Sequence, residues 1–195
     1  MARIGSTNRD EAFMRAGYGE WGRKMQTDLS DGVAHLAGEG VIDPQRVCIV
    51  GASYGGYAAL LGVTVQQGIY RCAVGVAPVT DLELQLRFER MSRSHSRMLR
   101  VSMDEEFGKN PDFDAISPRQ QAARASAPIL LIHGRDDTVV EFRQSSVMAD
   151  ALKNAGKPYR LVELDGEDHW LSKSETRHRM LADSIAFVTQ HNPPD

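Results

Sequence analysis

Cys48-Ile49-Val50-Gly51-Ala52-Ser53-Tyr54-Gly55-Gly56-Tyr57 is the most informative stretch of this 195-residue chain. An apolar, β-branched run at 47–50 leads into a Gly-x-Ser-x-Gly pattern, and an Ala- and Leu-rich segment at 57–65 follows it. This order predicts a strand, a sharp turn with Ser53 at its apex, and a helix. Glycines on both sides of the serine suit a strained turn in which the strand and helix backbones leave no room for a Cβ atom.

A serine at the apex of such a turn has a specific chemical setting. Its hydroxyl projects into solvent, and the N–H groups at the start of the following helix point toward negative charge that develops on a substrate oxygen. A serine between a strand and a helix in this way is the nucleophile elbow of α/β-hydrolases. Ser53 is therefore the candidate nucleophile.

Short apolar runs alternate with helical patterns along the rest of the chain. The run at 128–133 is apolar throughout, as expected of a parallel strand buried on both faces. The alternation predicts an α/β fold of the α/β-hydrolase type, a doubly wound, mainly parallel sheet with helices on both faces. The predicted strands are 46–50, 72–76, 128–133 and 159–164, and the predicted helices run from 20 to about 38, 57–65, 141–155 and 174–190.

The length of the chain favours a single domain over residues 1–195. Residues 1–18 show no clear period and are expected to be irregular, whereas residues 81–127 form a long excursion between the second and third strands, predicted to lie over the active site. Arginines recur every three or four residues within it, which predicts a helix with a basic face. That face is either a solvated surface or one that draws acidic peptides toward the serine. The arginines are Arg87, Arg90, Arg93, Arg97 and Arg100, and the opposite, apolar face is predicted to carry Leu84, Phe88, Met91 and Met98.

The candidate partners of Ser53 follow later strands. A serine hydroxyl is a weak nucleophile and needs a base, which an acid orients. In α/β-hydrolases the order is Ser, Asp or Glu, then His, each in a loop after a strand. Asp136 and Asp137 follow the third predicted strand, and His169 follows the fourth, 32 residues after Asp137. That interval holds about one helix and one strand, so both loops are expected at the same rim.

Composition argues against several other classes. Hydrophobic residues make up 42% and charged residues 25% of the chain, which is ordinary for a globular protein. A net charge of -3 gives no general attraction to nucleic acid or to an anionic membrane, and no apolar run approaches the length of a membrane span. We find neither metal-ligand spacing nor a Gly-rich phosphate loop, so no metal and no cofactor are expected.

Two further expectations concern the cellular location of the protein and the chemical state of its two cysteines. The first eight residues lack the apolar region of a signal peptide, so a cytoplasmic protein is the default expectation. Cys48 and Cys72 each lie in an apolar run that predicts a strand, and they are expected to be buried free thiols.

Three motifs in order resemble the catalytic domain of the prolyl oligopeptidase family (peptidase S9), which includes dipeptidyl peptidases and acylaminoacyl peptidases. Gly51-Ala-Ser-Tyr-Gly-Gly-Tyr57 resembles its nucleophile motif, Leu131-Ile-His-Gly-Arg-Asp-Asp-Thr-Val-Val140 its acid loop, and Asp168-His169 its histidine loop. The resemblance runs from about residue 5 to 190. It implies a triad of Ser53, Asp137 and His169, with the backbone N–H of Tyr54 as an oxyanion donor and an apolar substrate pocket formed by Tyr57, Val79, Leu82 and Val140.

The resemblance also implies an activity. It predicts a serine peptidase that cleaves acyl bonds of short peptides, and a carboxylesterase acting on small esters is the nearest enzymatic alternative, because esters have better leaving groups. The family's first strands, its propeller and the loop with the second oxyanion donor have no counterpart in this sequence. The resemblance therefore implies the C-terminal half of the fold, apparently truncated at its N-terminus.

The strand before Ser53 raises a question of assembly. It is apolar on both faces, as an interior strand would be, yet nothing in residues 1–45 has the pattern of a full strand to lie beside it. We expect association through this sheet edge, with a second copy or with segments of another polypeptide. A catalytically weak fragment that acts as an assembly module is the remaining alternative.

Overall fold

Four parallel strands form the sheet of this chain, in a computed structural model that describes residues 5–6, 9–92, 105–107 and 111–194. The strands lie in the order β1-β2-β3-β4 and pair in parallel throughout. They are β1 (Cys48–Ala52), β2 (Cys72–Val76), β3 (Ile129–Gly134) and β4 (Tyr159–Leu164). The described helices are α1 (Glu11–Arg15), α2 (Lys24–Gly38), α3 (Tyr54–Thr64), α4 (Leu82–Ser92), α5 (Phe113–Ile116), α6 (Arg143–Asn154) and α7 (Ser174–His191), with a 3₁₀ turn at Ala122–Arg124.

Helices cover both faces of the sheet. Successive side chains of a strand point to opposite faces, so one strand contributes to two layers of core. On β3, Ile129 and Leu131 pack with residues of α3 and α6, whereas Leu130 and Ile132 pack in a second cluster with α7. All four side chains are fully buried. The predicted α/β architecture with helices on both faces is confirmed.

Most predicted elements are present, and several differ at their ends by one to four residues, β1 and α2 among them. The first strand is hydrogen-bonded over 48–52 rather than 46–50, because Cys48 lies opposite Cys72 and Ala52 opposite Val76. Helix α2 begins at Lys24 rather than at residue 20, since Gly22 has a φ of +69° and Arg23 a non-helical backbone. One helical turn, α1, lies in the segment expected to be irregular.

Cys48 and Cys72 form a disulfide across neighbouring strands, so the expectation of two free thiols is wrong. The parallel register places the two residues opposite each other, with their Cα atoms 4.8 Å apart. A cross-link between residues 24 apart in sequence stabilises a fold by about 3 kcal/mol when it constrains the unfolded chain. Disulfides persist mainly in oxidising compartments. The cytoplasmic location stays a prediction.

The turn at Ser53 has the strained geometry that the sequence predicts. Ser53 has φ +55° and ψ −121°, a conformation that L-residues rarely adopt. A Cβ atom on Gly51 would lie 2.2 Å from the carbonyl oxygen of Gly55, so only glycine fits there. A Cβ on Gly55 would meet nothing within 4 Å. The steric requirement predicted for both glycines is right for Gly51 and wrong for Gly55, which faces open space beside β1.

The outer edge of β1 is exposed. Among the residues that the structure describes, β1 pairs with β2 alone. Val50 is 55% exposed, although the apolar pattern of its strand is typical of a sheet interior. The unpaired edge that the sequence predicts is present in the described chain.

The two glycines of the elbow should respond in opposite ways to the same substitution. Gly51→Ala should lower the free energy of unfolding by about 3 kcal/mol or more, because the methyl group overlaps the Gly55 carbonyl. Gly55→Ala, in the first turn of a helix and facing open space, should leave it unchanged or raise it by up to about 1 kcal/mol. Urea unfolding of both variants measures this. Equal losses would contradict the described packing of the elbow.

Candidate active site

The three predicted triad residues lie at one rim of the sheet. Ser53 directly follows β1, Asp137 lies in the loop after β3, and His169 lies in the loop after β4. Because the strands are parallel, all three loops leave the sheet at its carboxyl edge. The strand order therefore brings together three residues that are far apart in sequence.

Asp137 and His169 are directly hydrogen-bonded. Their atoms His169 Nδ1 and Asp137 Oδ2 are 2.7 Å apart, and the carboxylate is fully buried while the imidazole is 7% exposed. With Nδ1 donating to the carboxylate, Nε2 is the nitrogen left to accept a proton. This is the pairing that a general base needs in order to be held in one tautomer.

Three further contacts fix the Asp137 carboxylate. Its Oδ1 atom accepts hydrogen bonds from the backbone N–H groups of Val139 and Val140, each at 2.9 Å. His133 Nε2, which donates to the Val140 carbonyl at 2.8 Å, also lies 3.3 Å from Asp137 Oδ2. Burial alone would raise the pKa of Asp137, but the hydrogen bonds from His133, His169 and the two backbone groups outweigh it and hold the pKa well below its usual range. The carboxylate is therefore ionised over the whole range in which such an enzyme would work.

Asp136, the alternative acid, is in a different environment. Its side chain is exposed, and its backbone N–H donates to the Glu167 carbonyl at 3.0 Å. The hydrogen bond to His169 belongs to Asp137. The hydrogen bond thus belongs to Asp137, the residue that the family motif selects. It distinguishes Asp137 from Asp136, which the order of strands and loops alone did not.

A close backbone approach holds the acid and histidine loops together. A Cβ atom on Gly134, the last residue of β3, would lie 2.3 Å from the carbonyl oxygen of Glu167. The Glu167 side chain is 1% exposed and accepts from the N–H groups of Asp168 at 2.9 Å and Lys173 at 3.3 Å, and from the Thr176 hydroxyl. Glu167 thereby ties the histidine loop to the start of α7. Glu167 was not predicted from the sequence, because it belongs to no motif.

Ser53 makes no hydrogen bond to His169 among the described residues, although both lie at the same rim. Catalytic hydrogen bonds are often long in the absence of substrate and shorten when it binds. Tyr54, the residue after Ser53, is the first residue of α3. The first N–H groups of a helix have no carbonyl partner within that helix, so the start of α3 is where an oxyanion would be stabilised.

Three of the four residues predicted to form the substrate pocket line one cavity. Val79, Leu82 and Val140 line a cavity of about 150 Å³ together with Ser53 and Tyr54. Tyr57 was expected in the same wall, but it is fully buried and its hydroxyl donates to the Ile116 carbonyl at 2.9 Å. Position 57 lies one helical turn into α3, so its ring points into the core behind the cavity, where it packs against Trp21.

The rest of the cavity wall comes from residues that carry no motif. Trp21, Leu86, Glu89, Glu106 and Phe107 line it, and Gln85 lies among them. Trp21 precedes α2, and its ring packs against Tyr54 with centroids 4.4 Å apart and against Phe107 at 4.9 Å. Gln85 occupies a position that the family resemblance assigns to the substrate pocket, whereas no spacing rule connects positions 21, 86, 89 and 106–107, which were not predicted.

Helix α4 turns a different face inward from the one predicted. Its buried residues are Leu82, Gln85 and Leu86, whereas Met91, assigned to the apolar face, is 80% exposed. Arg87 pairs with Glu83 at 3.3 Å on the exposed side. Of the other arginines of the predicted basic face, Arg93, Arg97 and Arg100 lie outside the described residues, as does Met98.

In the described part of the chain, no helix is long and apolar enough to cross a membrane. Within the same residues, no group of three or more His, Cys, Asp or Glu side chains could hold a metal ion.

A four-stranded parallel sheet with Ser53 at a nucleophile elbow is the fold of the α/β-hydrolases. Residues 2–193 match the sequence profile of the prolyl oligopeptidase family, Peptidase_S9. The chain belongs to this family of serine-type peptidases.

Individual relatives agree with that assignment. The chain is 30% identical over 196 residues to dipeptidyl aminopeptidase BIII of Pseudoxanthomonas mexicana, covering 95% of this chain and 27% of the relative. It is 27% identical over 191 residues to dipeptidyl peptidase family member 6 of Caenorhabditis elegans, covering 95% and 26%. Among solved structures, a puromycin-hydrolyzing peptidase of Mycobacterium tuberculosis superposes with a TM-score of 0.87 at 27% identity, covering 99% of this chain and 29% of that one. The chain thus spans about a quarter of the length of these curated relatives.

The two neighbouring aspartates should differ sharply in their effect on hydrolysis. Asp137→Asn should lower kcat for a p-nitrophenyl ester by about 10⁴-fold, because an amide cannot hold the imidazole of His169 in the required tautomer. Asp136→Asn, its exposed neighbour, should cost less than about tenfold. Circular dichroism of both variants controls for folding. The reverse order of effects would move the acid to Asp136.

Proposed function

We propose that this chain is the catalytic part of a serine peptidase that cleaves acyl bonds of short peptides, with Ser53, Asp137 and His169 as its triad. The observation that carries the proposal is the 2.7 Å hydrogen bond between His169 and a buried, multiply hydrogen-bonded Asp137, at the same rim as a serine in a strained elbow. Family membership supports the reaction class.

The proposed reaction uses each residue in turn. Ser53 Oγ attacks the acyl carbon while His169 Nε2 takes its proton, and Asp137 stabilises the resulting imidazolium. The oxygen that gains negative charge faces the N–H of Tyr54. His169 then gives the proton to the leaving amine, and water releases the acyl group from Ser53 by the same route in reverse.

The substrate class is inferred from relatives and from the site. A dipeptidyl aminopeptidase and a puromycin-hydrolyzing peptidase are among the proteins that this chain resembles, which supports short amide substrates. One feature favours an esterase as the second candidate. In the described residues we identify one backbone oxyanion donor, at Tyr54, and loss of a second donor typically costs about 10²–10³ in kcat. Esters, which have better leaving groups, tolerate that loss better than amides.

A fluorophosphonate probe tests the proposed nucleophile directly. Ser53 Oγ should displace fluoride from phosphorus, with His169 taking the hydroxyl proton, and the intact mass should increase by one phosphonyl group. The Ser53→Ala variant should remain unlabelled, and its circular dichroism spectrum should match the wild type because the hydroxyl makes no described hydrogen bond.

The alternative of a catalytically silent assembly module predicts a different result. Wild-type protein that stays unlabelled under conditions that label a control serine hydrolase would exclude the proposed peptidase activity for this chain. Labelling at a residue other than Ser53 would exclude the proposed triad.

We also propose that the chain associates through the outer edge of β1. Val50 is 55% exposed on this edge, and Ile49, Val50 and Ala58 line a shallow hollow beside it with Leu29 and Gly55. An unpaired parallel strand flanked by apolar side chains favours pairing with another strand. A second copy of the chain is the partner expected for the isolated protein.

A charge on the edge should weaken this association. The wild-type chain should sediment above its monomer mass at micromolar concentration, and Val50→Lys should shift it toward the monomer, because a lysine opposes strand pairing. Ile185→Lys, on the exposed side of α7 and 65% exposed, is the matched control and should leave the distribution unchanged. A wild-type chain that sediments as a single monomer would contradict association through the edge.

A further inference from the structure

The cavity beside Ser53 has an acidic end. Its walls are mostly apolar, with Trp21, Leu86 and Phe107 among them, but it is also lined by Gln85, Glu89 and Glu106. Among the residues that the structure describes, none of those lining the cavity is basic. A cavity of about 150 Å³ is large enough for a ring the size of benzene. The space therefore suits a single side chain with an apolar stem and a polar tip.

Gln85 supplies an unsatisfied acceptor in this cavity. The residue is 8% exposed, and its Nε2 atom donates to Glu89 Oε1 and to the Val139 carbonyl, each at 3.0 Å. Both neighbours only accept, so the orientation of the amide is fixed and its Oε1 atom is the one left over. That oxygen is buried and has no hydrogen-bond partner in the part of the chain that the structure describes. A buried acceptor favours a ligand that supplies a donor to it.

Glu89 and Glu106 add two carboxylates of like charge to the same wall. Burial and, after it, the charge of Glu89 raise the pKa of Glu106, while a hydrogen bond from Trp21 opposes the rise. A carboxylate of like charge nearby disfavours the ionised form of Glu106, and a cation in the cavity would favour it. All three polar groups that face the cavity from α4 and from residue 106 are thus acceptors.

The position of the cavity relative to the triad indicates which part of a substrate enters it. Ser53 and Tyr54 line it, and His169 does not. In the proposed reaction His169 passes its proton to the leaving group, so the leaving group lies on the side of His169. The cavity consequently lies on the acyl side of the bond that is broken.

We propose that this cavity binds a cationic group, an ammonium or a guanidinium, on the acyl side of the scissile bond, through Gln85 Oε1, Glu89 and Glu106. The assignment rests on the proposed peptidase function. The apolar walls take the stem of the side chain, and the three acceptors take the donors at its tip. The same chemistry is offered by a lysine or arginine side chain next to the scissile bond and by the free α-amino group of a substrate. An acidic substrate, which the basic helix face was predicted to attract, would be repelled here.

Two pairs of matched anilides separate these sources. N-acetyl-lysine and N-acetyl-norleucine p-nitroanilides share a stem and differ in the side-chain charge. Norleucine p-nitroanilide with a free or an acetylated amine differs in the α-amino charge. Wild-type kcat/KM should be higher for the charged member of one pair by about tenfold or more, the usual value of a hydrogen bond to a charged group. The pair that shows the preference identifies the source of the cation.

Variants of the acidic wall test whether that preference comes from the cavity. Glu106→Gln and Glu89→Gln should each reduce the ratio within the preferred pair toward one. Glu105→Gln is the matched control, because Glu105 is an exposed neighbour that does not line the cavity, and the ratio should be kept. Equal rates within both pairs, or a ratio that Glu106→Gln leaves intact, would overturn the proposal while the peptidase function stands.

A binding measurement keeps the test independent of turnover. By calorimetry, n-pentylamine should bind the wild-type chain about tenfold or more tightly than n-pentanol, and Glu106→Gln should abolish the difference. If neither hydrolysis nor fluorophosphonate labelling is found, the peptidase function fails and this comparison still decides the cavity. Equal binding of the amine and the alcohol would overturn the cationic site.

Discussion

The close approach of β1 and α3 at Gly51 is the constraint on which the site depends. A strand that runs directly into a helix can do so only where the two backbones nearly touch, and a Cβ on Gly51 would lie 2.2 Å from the Gly55 carbonyl. The backbone strain of the turn lies mainly at Ser53, whose φ of +55° is rarely adopted by L-residues. The packing of α3 against the sheet maintains that strain, so the hydroxyl is held at the rim before any substrate arrives.

A second close backbone approach, at Gly134, positions the base His169, as the approach at Gly51 positions the nucleophile Ser53. Gly134 ends β3 against the Glu167 carbonyl, and this brings the loops that carry Asp137 and His169 into contact. Hydrogen bonds lower the pKa of Asp137 in the folded state. Its ionised carboxylate therefore adds to the free energy of unfolding at pH values above its unfolded-state pKa, near 4. That contribution is lost as the pH falls toward the folded-state pKa. The acid of the proposed triad is thus also part of what holds the rim together.

The sequence predicted those parts of the molecule that depend on local pattern. Strand β4 was predicted with its observed bounds, and the motif around Asp137 selected the residue that the geometry pairs with His169. Features that depend on contacts between distant segments were not predicted. The acidic wall around Glu106 is assembled from segments that no spacing rule connects.

Three expectations from the sequence are wrong for the same reason: each depends on how distant parts of the chain lie relative to one another. The Cys48–Cys72 disulfide follows from strand register, which the sequence does not specify. Gly55 was assigned a steric role that only a neighbouring backbone could give it, and in the described chain that side of β1 is open. Tyr57 was assigned to the pocket from its motif, whereas its place on α3 turns it into the core.

A crystal structure of the chain after reaction with a fluorophosphonate would test most directly whether the three loops act as one catalytic unit. We predict phosphorus bonded to Ser53 Oγ, a phosphonyl oxygen within hydrogen-bond distance of the Tyr54 N–H, and His169 still donating from Nδ1 to Asp137. Phosphorus on another residue, or a phosphonylated Ser53 turned away from His169 with the Asp137 contact broken, would contradict that unit.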